Sequence, residues 1–226
     1  MGIVLPRLYV ILDPVQVPER PITDVCDVLL EAGVRLIQYR HKAATARQLF
    51  ETAVALAARV RQAQGMFIVN DRSDVARAAG ADGVHVGQDD LPVEMARAIV
   101  GAGKLVGCST HSLDQVILAD STSADYVAYG PVFATQSKEQ PEPLVGLEGL
   151  RRARAATRKP LVAIGGITLE RAPEVLGAGA DAVAVIADVL KAPDIGARAR
   201  DFLKAVGNVA PCLRPDSARD ANTTSW

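Results

Sequence analysis

Short apolar runs recur along this chain, each ending in glycine, proline or polar residues, and each followed by a segment of helical periodicity. Leu8–Leu12 is the first run and stops at Asp13-Pro14. A helical pattern follows Pro21, with Val25, Val28, Leu29 and Ala32 on one face and Gly33 as its stop. The second run covers Arg35–Arg40. Leu49, Phe50, Ala53, Leu56, Ala57 and Val60 then predict a long amphipathic helix. Met66–Val69, Gly83–Gly87, Leu105–Cys108, Tyr126–Tyr129, Leu161–Ile164 and Ala182–Ile186 complete the apolar runs. The intervening helices are expected over Ser73–Ala79, after Pro92, around Leu113, Val116 and Ile117, over Leu147–Thr157, over Leu169–Leu176, and from a turn after Ile186 to Val206.

Runs as continuously apolar as these are strands buried on both faces, as in a parallel sheet. A weak repeat supports equivalent units: Ala79-Gly80-Ala81-Asp82-Gly83-Val84 and Ala178-Gly179-Ala180-Asp181-Ala182-Val183 both lead from a helix into a strand. Eight βα units close on themselves, so the expected fold is a single (β/α)8 TIM barrel over residues 1–207. From Asn208 the pattern stops, and residues 208–226 read as a flexible tail. A chain of 226 residues fits one such domain.

Composition narrows the function. A formal net charge of -1 gives no reason to expect nucleic acid or an anionic membrane as partner. No apolar run approaches the roughly 18–20 residues of a membrane span, and no signal peptide is evident. Cys26, Cys108 and Cys212 are scattered and odd in number, which fits a reducing cytoplasm rather than a disulfide framework. Cys26 reads as a buried or helix-surface residue. A monomer and a homo-oligomer both remain open.

In a barrel of this kind the residues following each strand share one face, where the active site lies. Gln38, Arg40 and Lys42 alternate, so all three point to one side if the chain stays extended, as a polyanion such as a diphosphate requires. Asp71 and Asp90 follow the third and fourth strands. Each can cap a helix; together they can share a hard cation such as magnesium, with Asp89 as a substitute for Asp90. Gly165-Gly166 and the residues around Ile186-Ala187 form a second cluster, where barrels bind phosphate on backbone N–H groups. The loop after the sixth strand offers Thr135, Ser137 and Lys138. His85 reads as a hydrogen-bonded core residue, and His111 is assigned no chemistry. His41 is out of phase with its neighbours and expected to face away. No Ser/His/Asp or Cys/His arrangement is evident.

Seven segments then carry a resemblance: QYRHK (Gln38–Lys42), VNDR (Val69–Arg72), HVGQDDLP (His85–Pro92), GCSTHS (Gly107–Ser112), YGPVFATQSK (Tyr129–Lys138), AIGGI (Ala163–Ile167) and GADAVAVIA (Gly179–Ala187). In this order they resemble the thiamine phosphate synthase family over roughly residues 8–206. The resemblance implies a magnesium-dependent transferase that joins 4-amino-5-hydroxymethyl-2-methylpyrimidine diphosphate to a thiazole phosphate, or its carboxylate, with release of diphosphate. It implies that Gln38, Tyr39, Arg40, His41, Lys42, Asn70, Ser109 and Lys138 bind the pyrimidine diphosphate. Asp71 and Asp90 would hold magnesium. Thr135, Gln136, Ser137, Gly166, Ile186 and Ala187 would bind the thiazole phosphate, and Arg40, Lys42 and Lys138 would stabilise charge on the leaving group. The chain departs from the family at Ala134 (often proline), Ser137 (often threonine) and Ile186-Ala187 (commonly Val-Ser). A related thiazole tautomerase typically has histidine where this chain has Pro131 and lacks much of the diphosphate set. A non-catalytic barrel that senses a phosphorylated metabolite would tolerate loss of either the carboxylates or the cations, and this chain keeps both. The polar, proline-containing segment 135–143 is the candidate for a loop that closes over substrates.

Overall fold

The computed structural model describes residues 3–135 and 142–207. Eight parallel strands close in sequence order into a barrel: β1 (Leu8–Leu12), β2 (Leu36–Tyr39), β3 (Met66–Asn70), β4 (Gly83–Val86), β5 (Leu105–Thr110), β6 (Tyr126–Tyr129), β7 (Leu161–Ala163) and β8 (Ala182–Val185). The helices between them are α1 (Ile22–Glu31), α2 (Ala46–Gln62), α3 (Ser73–Ala78), α4 (Val93–Val100), α5 (Leu113–Asp120), α6 (Gly146–Ala156) and α7 (Ala172–Gly177). A short α8 (Ala187–Leu190) and a final α9 (Ile195–Val206) follow β8. The expected tail and Cys212 lie outside the described residues, as do Gln136, Ser137 and Lys138.

Period-two alternation divides the strands between two cores. Tyr9, Leu36, Met66, Ile68, Leu105, Tyr126, Ala128, Val162, Ala182 and Ala184 pack together inside the barrel. Their neighbours Val10, Ile37, Phe67, Val84, Val106, Val127, Leu161 and Val183 face outward and pack under the helices. Apolar residues on both faces make each strand a continuous apolar run. Toward the C-terminal end the inner positions turn polar: Gln38 on β2, Asn70 on β3, His85 on β4 and Ser109 on β5. This change in character along each strand builds the floor of a site.

The repeat before β4 and β8 has a physical cause. Asp82 accepts a hydrogen bond from the Phe67 amide at 2.9 Å, and its own N–H donates back to the Phe67 carbonyl at 2.8 Å. Asp181 makes the same pair with Leu161 at 2.7 and 2.8 Å. Asp125, ahead of β6, does so with Val106 at 2.9 and 2.7 Å. Each aspartate ties the start of an even-numbered strand to the start of the strand before it. The face opposite the site is thereby fixed by polar groups that satisfy backbone donors.

Three helical faces differ from expectation. Val28, Phe50 and Ile117 are 38%, 39% and 53% exposed, whereas Cys26 and Leu30 on α1 are buried. The apolar stripe of α1 is therefore rotated from the expected face. Cys26 is a core thiol pushed up to about 12, chiefly by burial. No helix among the described residues is long and apolar enough to cross a membrane.

Candidate active site

A cavity of about 580 Å3 opens at the C-terminal ends of the strands. Gln38, Arg40, Asn70, Ser109, Thr135, Gly166, Ile186 and Ala187 line it, drawn from around the barrel. The strand ends thus bring together residues separated by up to 149 positions in sequence (187 minus 38).

Arg40 continues the inward phase of Gln38 past the end of β2. Its guanidinium pairs with Asp13, which follows β1 and is only 3% exposed. Asp13 also accepts from the Val15 amide at 3.1 Å. A rigid planar cation is thereby held at the cavity wall by a carboxylate with little freedom of its own. Sequence reading treated Asp13 only as the end of a strand; the same rule that selected Arg40 applies to it.

Asp71 adopts φ 62°, a left-handed conformation that aspartate tolerates better than most residues. Its N–H donates to the His85 carbonyl at 2.7 Å, and the Arg72 N–H folds back on Asn70 at 2.7 Å. This kink brings the Asp71 carboxylate to Lys42 Nζ at 2.8 Å and into hydrogen-bonding contact with Asp90. Asp90 in turn accepts from the Gly87 amide at 2.7 Å. Neither aspartate caps a helix: the N-cap positions of α3 and α4 are Arg72 and Pro92, and neither makes a side-chain cap. Asp89 is exposed. Burial first, and then the neighbouring Asp90, raise the Asp71 carboxyl above its usual range. Two carboxylates in contact need a proton or a cation between them. Among the described residues no group of three or more His, Cys, Asp or Glu side chains is placed to hold a metal. A pair of hard oxygen donors fits magnesium, which usually takes its remaining ligands from water and phosphate.

The opposite side of the cavity is made of backbone. Gly165 and Gly166 have φ 91° and 63°, and a Cβ on Gly166 would lie 2.4 Å from the Ala134 carbonyl oxygen. Glycine is required there for the β7 end to pack against the β6 loop. That loop is held by Val132 N–H on the Ile164 carbonyl at 2.9 Å and Phe133 N–H on the Gly165 carbonyl at 3.1 Å. Pro131 lines the cavity and follows a cis peptide bond. Ile186, the N-cap of α8, and Ala187, its first residue, also line the cavity. Asp188 of α8 accepts from the Leu169 amide at 3.1 Å and pairs with Arg198. The Leu169 bond ties α8 to the segment leaving β7, and Arg198 on α9 neutralises the carboxylate beside the cavity.

Arg171 was not found from the sequence. It lines the cavity, donates to the Gly166 carbonyl at 3.0 Å, and lies 4.4 Å over the Phe133 ring. No strand-end rule points to it, because it sits several residues beyond β7. His111 also lines the cavity and contacts the Gly130 carbonyl through Nδ1 at 2.6 Å. The Tyr39 side chain is buried in the outer core, and His41 Nδ1 contacts its hydroxyl at 3.3 Å. Neither is among the residues lining the cavity, and nor are Lys42, Asp71 and Asp90, which the sequence also assigned to the site.

Comparison with known proteins now bears on this arrangement. A family model described as thiamine monophosphate synthase matches residues 8–189. The chain belongs to the thiamine monophosphate synthase family. It is 48% identical over 207 residues to the thiamine-phosphate synthase of Koribacter versatilis, covering 90% of this chain and 97% of that one. It is 44% identical to the thiamine-phosphate synthase of Chloroflexus aurantiacus over 196 residues, covering 87% and 90%. Among solved structures, a thiamine phosphate pyrophosphorylase from Pyrococcus furiosus is 38% identical with a TM-score of 0.82, covering 88% of this chain and 95% of that one. The family membership spans the barrel from β1 to α8, so both the cation-rich and the glycine-rich ends of the cavity fall within it.

Proposed function

We propose that this chain condenses 4-amino-5-hydroxymethyl-2-methylpyrimidine diphosphate with thiazole phosphate, or its carboxylate, giving thiamine phosphate and diphosphate. The observation that carries this reading is one cavity with two anion-binding ends of different chemistry. At one end Arg40 and Asn70 line the cavity, and the chain leads on from them to Lys42 and the Asp71–Asp90 pair, which lie beyond the lining; at the other end the lining is Gly166, Ile186 and Ala187. A tautomerase acting on one phosphate needs only the second end. Pro131, in place of the tautomerase histidine, supports the same choice.

Gln38, Arg40, Lys42, Asn70 and Ser109 receive the pyrimidine diphosphate. The Tyr39 side chain, packed in the outer core, and His41, in contact with it, do not line the cavity and support that segment from behind. Thr135, Gln136, Ser137, Gly166, Ile186 and Ala187 receive the thiazole phosphate. Asp71 and Asp90 would hold magnesium, which supplies positive charge to the leaving diphosphate. The bond between the pyrimidine methylene and the diphosphate oxygen breaks, and its electron pair leaves with the diphosphate. Arg40, Lys42 and Lys138 stabilise that charge. The aminopyrimidine carries the cation, and the thiazole nitrogen lone pair then forms the new C–N bond. The main task of the protein is to align that nitrogen and keep water out. The enzyme works as a soluble cytoplasmic protein on small molecules, in the absence of nucleic acid or membrane.

The test is incubation of the purified protein with both substrates and magnesium. Diphosphate and thiamine phosphate are expected together, and excess chelator is expected to stop both. Binding of thiazole phosphate without diphosphate release contradicts the reading.

A further inference from the structure

Five polar side chains form a continuous chain of hydrogen bonds across the barrel interior. Gln38 Nε2 donates to the Tyr9 hydroxyl at 2.7 Å. Tyr9 and Tyr126 hydroxyls are 3.0 Å apart, and the Tyr126 hydroxyl is 3.0 Å from His85 Nδ1. His85 Nε2 is 2.8 Å from Ser109 Oγ. Tyr9 and Tyr126 are 1% and 0% exposed, and Gln38 and His85 are also buried. Ser109 is partly exposed and lines the cavity. Tyr9, Gln38 and His85 also border the cavity, so the chain forms part of its floor, with Ser109 its most exposed member.

The chemistry of the first link sets the direction of the rest. An amide nitrogen only donates, so the Tyr9 oxygen accepts from Gln38. The Tyr9 hydrogen is then directed to Tyr126, and the Tyr126 hydrogen to His85 Nδ1. A neutral imidazole that accepts at Nδ1 carries its hydrogen on Nε2 and donates to Ser109 Oγ. The Ser109 hydrogen is left to point into the cavity. Burial raises both phenols above their ordinary range, so they stay protonated and able to donate. The His85 ring also stacks on Tyr126, with centroids 5.5 Å apart, which fixes its plane. Gly107 makes room for this: a Cβ there would lie 2.1 Å from Tyr126 Cζ.

Building on the function proposed above, we propose that this chain holds the Ser109 hydroxyl as a hydrogen-bond donor to the aminopyrimidine substrate. The acceptor it suits is a ring nitrogen rather than the exocyclic amine, which itself donates. Ser109 touches the substrate. Tyr9, Tyr126 and His85 are positioning residues that act through it and contact one another across strands β1, β6 and β4.

Two measurements test this. The first is 15N NMR of the imidazole nitrogens in the substrate-free protein, with the His85 signals identified by their loss in His85→Asn. Nε2 protonated and Nδ1 unprotonated is the expected state; the opposite tautomer means the chain runs the other way and overturns the proposal. The second is steady-state kinetics of Tyr9→Phe and Tyr126→Phe, two variants so that misfolding of one leaves the other. Each is expected to lower kcat/KM for the pyrimidine diphosphate about tenfold or more, with KM for thiazole phosphate within about twofold. In a Ser109→Ala background the same changes are expected to have little further effect. Unchanged kcat/KM, or an equal loss with and without Ser109, overturns the positioning role. Wild-type protein that releases no diphosphate would sink the functional reading, while the tautomer measurement needs no substrate and still decides the direction of the chain.

Discussion

Arg40 and Lys42 are two cations assigned to one diphosphate, yet their settings differ. Arg40 faces Asp13, whose side chain is 4% exposed; Lys42 is 58% exposed and faces Asp71. Removing Arg40 leaves a buried carboxylate without its partner. Arg40→Ala is therefore expected to cost about 3 kcal/mol of stability, and Lys42→Ala less than about 1 kcal/mol, as read by urea unfolding. Both should lower turnover, but only the Lys42 variant reports that loss free of a folding defect. Equal stabilities for the two variants would contradict the buried pairing. Asp71 gives a second residue-level expectation. Its carboxyl titrates above the ordinary value of 3.8 because burial, and then Asp90, disfavour its charge. Its contribution to stability is present below that ordinary value and is lost as pH rises through the raised one. In metal-free protein the melting temperature should thus fall across that window, in the difference between wild type and Asp71→Asn. Magnesium should recover it above the window and have little effect below, because protonated carboxyls bind cations poorly. A magnesium stabilisation independent of pH, or one retained in an Asp71→Asn, Asp90→Asn double variant, would remove these residues from the metal site.

The elements explain why some of this was legible and some was not. Strand positions could be read because inner and outer faces are both apolar, leaving runs such as Phe67-Ile68-Val69. Strand-end residues could be read because topology alone carries Gln38, Asn70, Ser109 and Gly166 to one face. Helix faces were read less well, since exposed Val28, Phe50 and Ile117 break the stripe that periodicity implied. The polar chain from Gln38 to Ser109 was invisible for a different reason. Tyr9 and Tyr126 lie on strands that do not pair, and only the closed barrel brings their hydroxyls to 3.0 Å. His85 had been read as a hydrogen-bonded core residue, and it is one, but its partners could not be named from spacing. Gly107 on β5 is the element-level test of that packing. Gly107→Ala would set a methyl group 2.1 Å from the Tyr126 ring, so Tyr126 must move off His85. A loss of about 2 kcal/mol or more by urea unfolding is expected, with a matching loss of turnover. An unchanged unfolding curve would mean that the Tyr126 ring has another place to go.

At the scale of the whole molecule, the two ends of the barrel divide the work. Asp82, Asp125 and Asp181 pin the strand starts on one face, away from the cavity. The other face carries the cavity and the two ends proposed to bind anions, with the β6 loop from Pro131 to Thr135 along the glycine-rich end. Lys138 lies outside the described residues. The family resemblance assigns it to the departing diphosphate rather than to the thiazole phosphate. The most direct measurement is rapid-quench single-turnover kinetics with both substrates and magnesium, comparing wild type with Lys138→Ala. Diphosphate and thiamine phosphate are expected in equal amounts, with the chemical step slowed by about a hundredfold in the variant and thiazole phosphate binding little changed. An unchanged chemical step, or thiazole phosphate consumed without any diphosphate, would contradict this assignment.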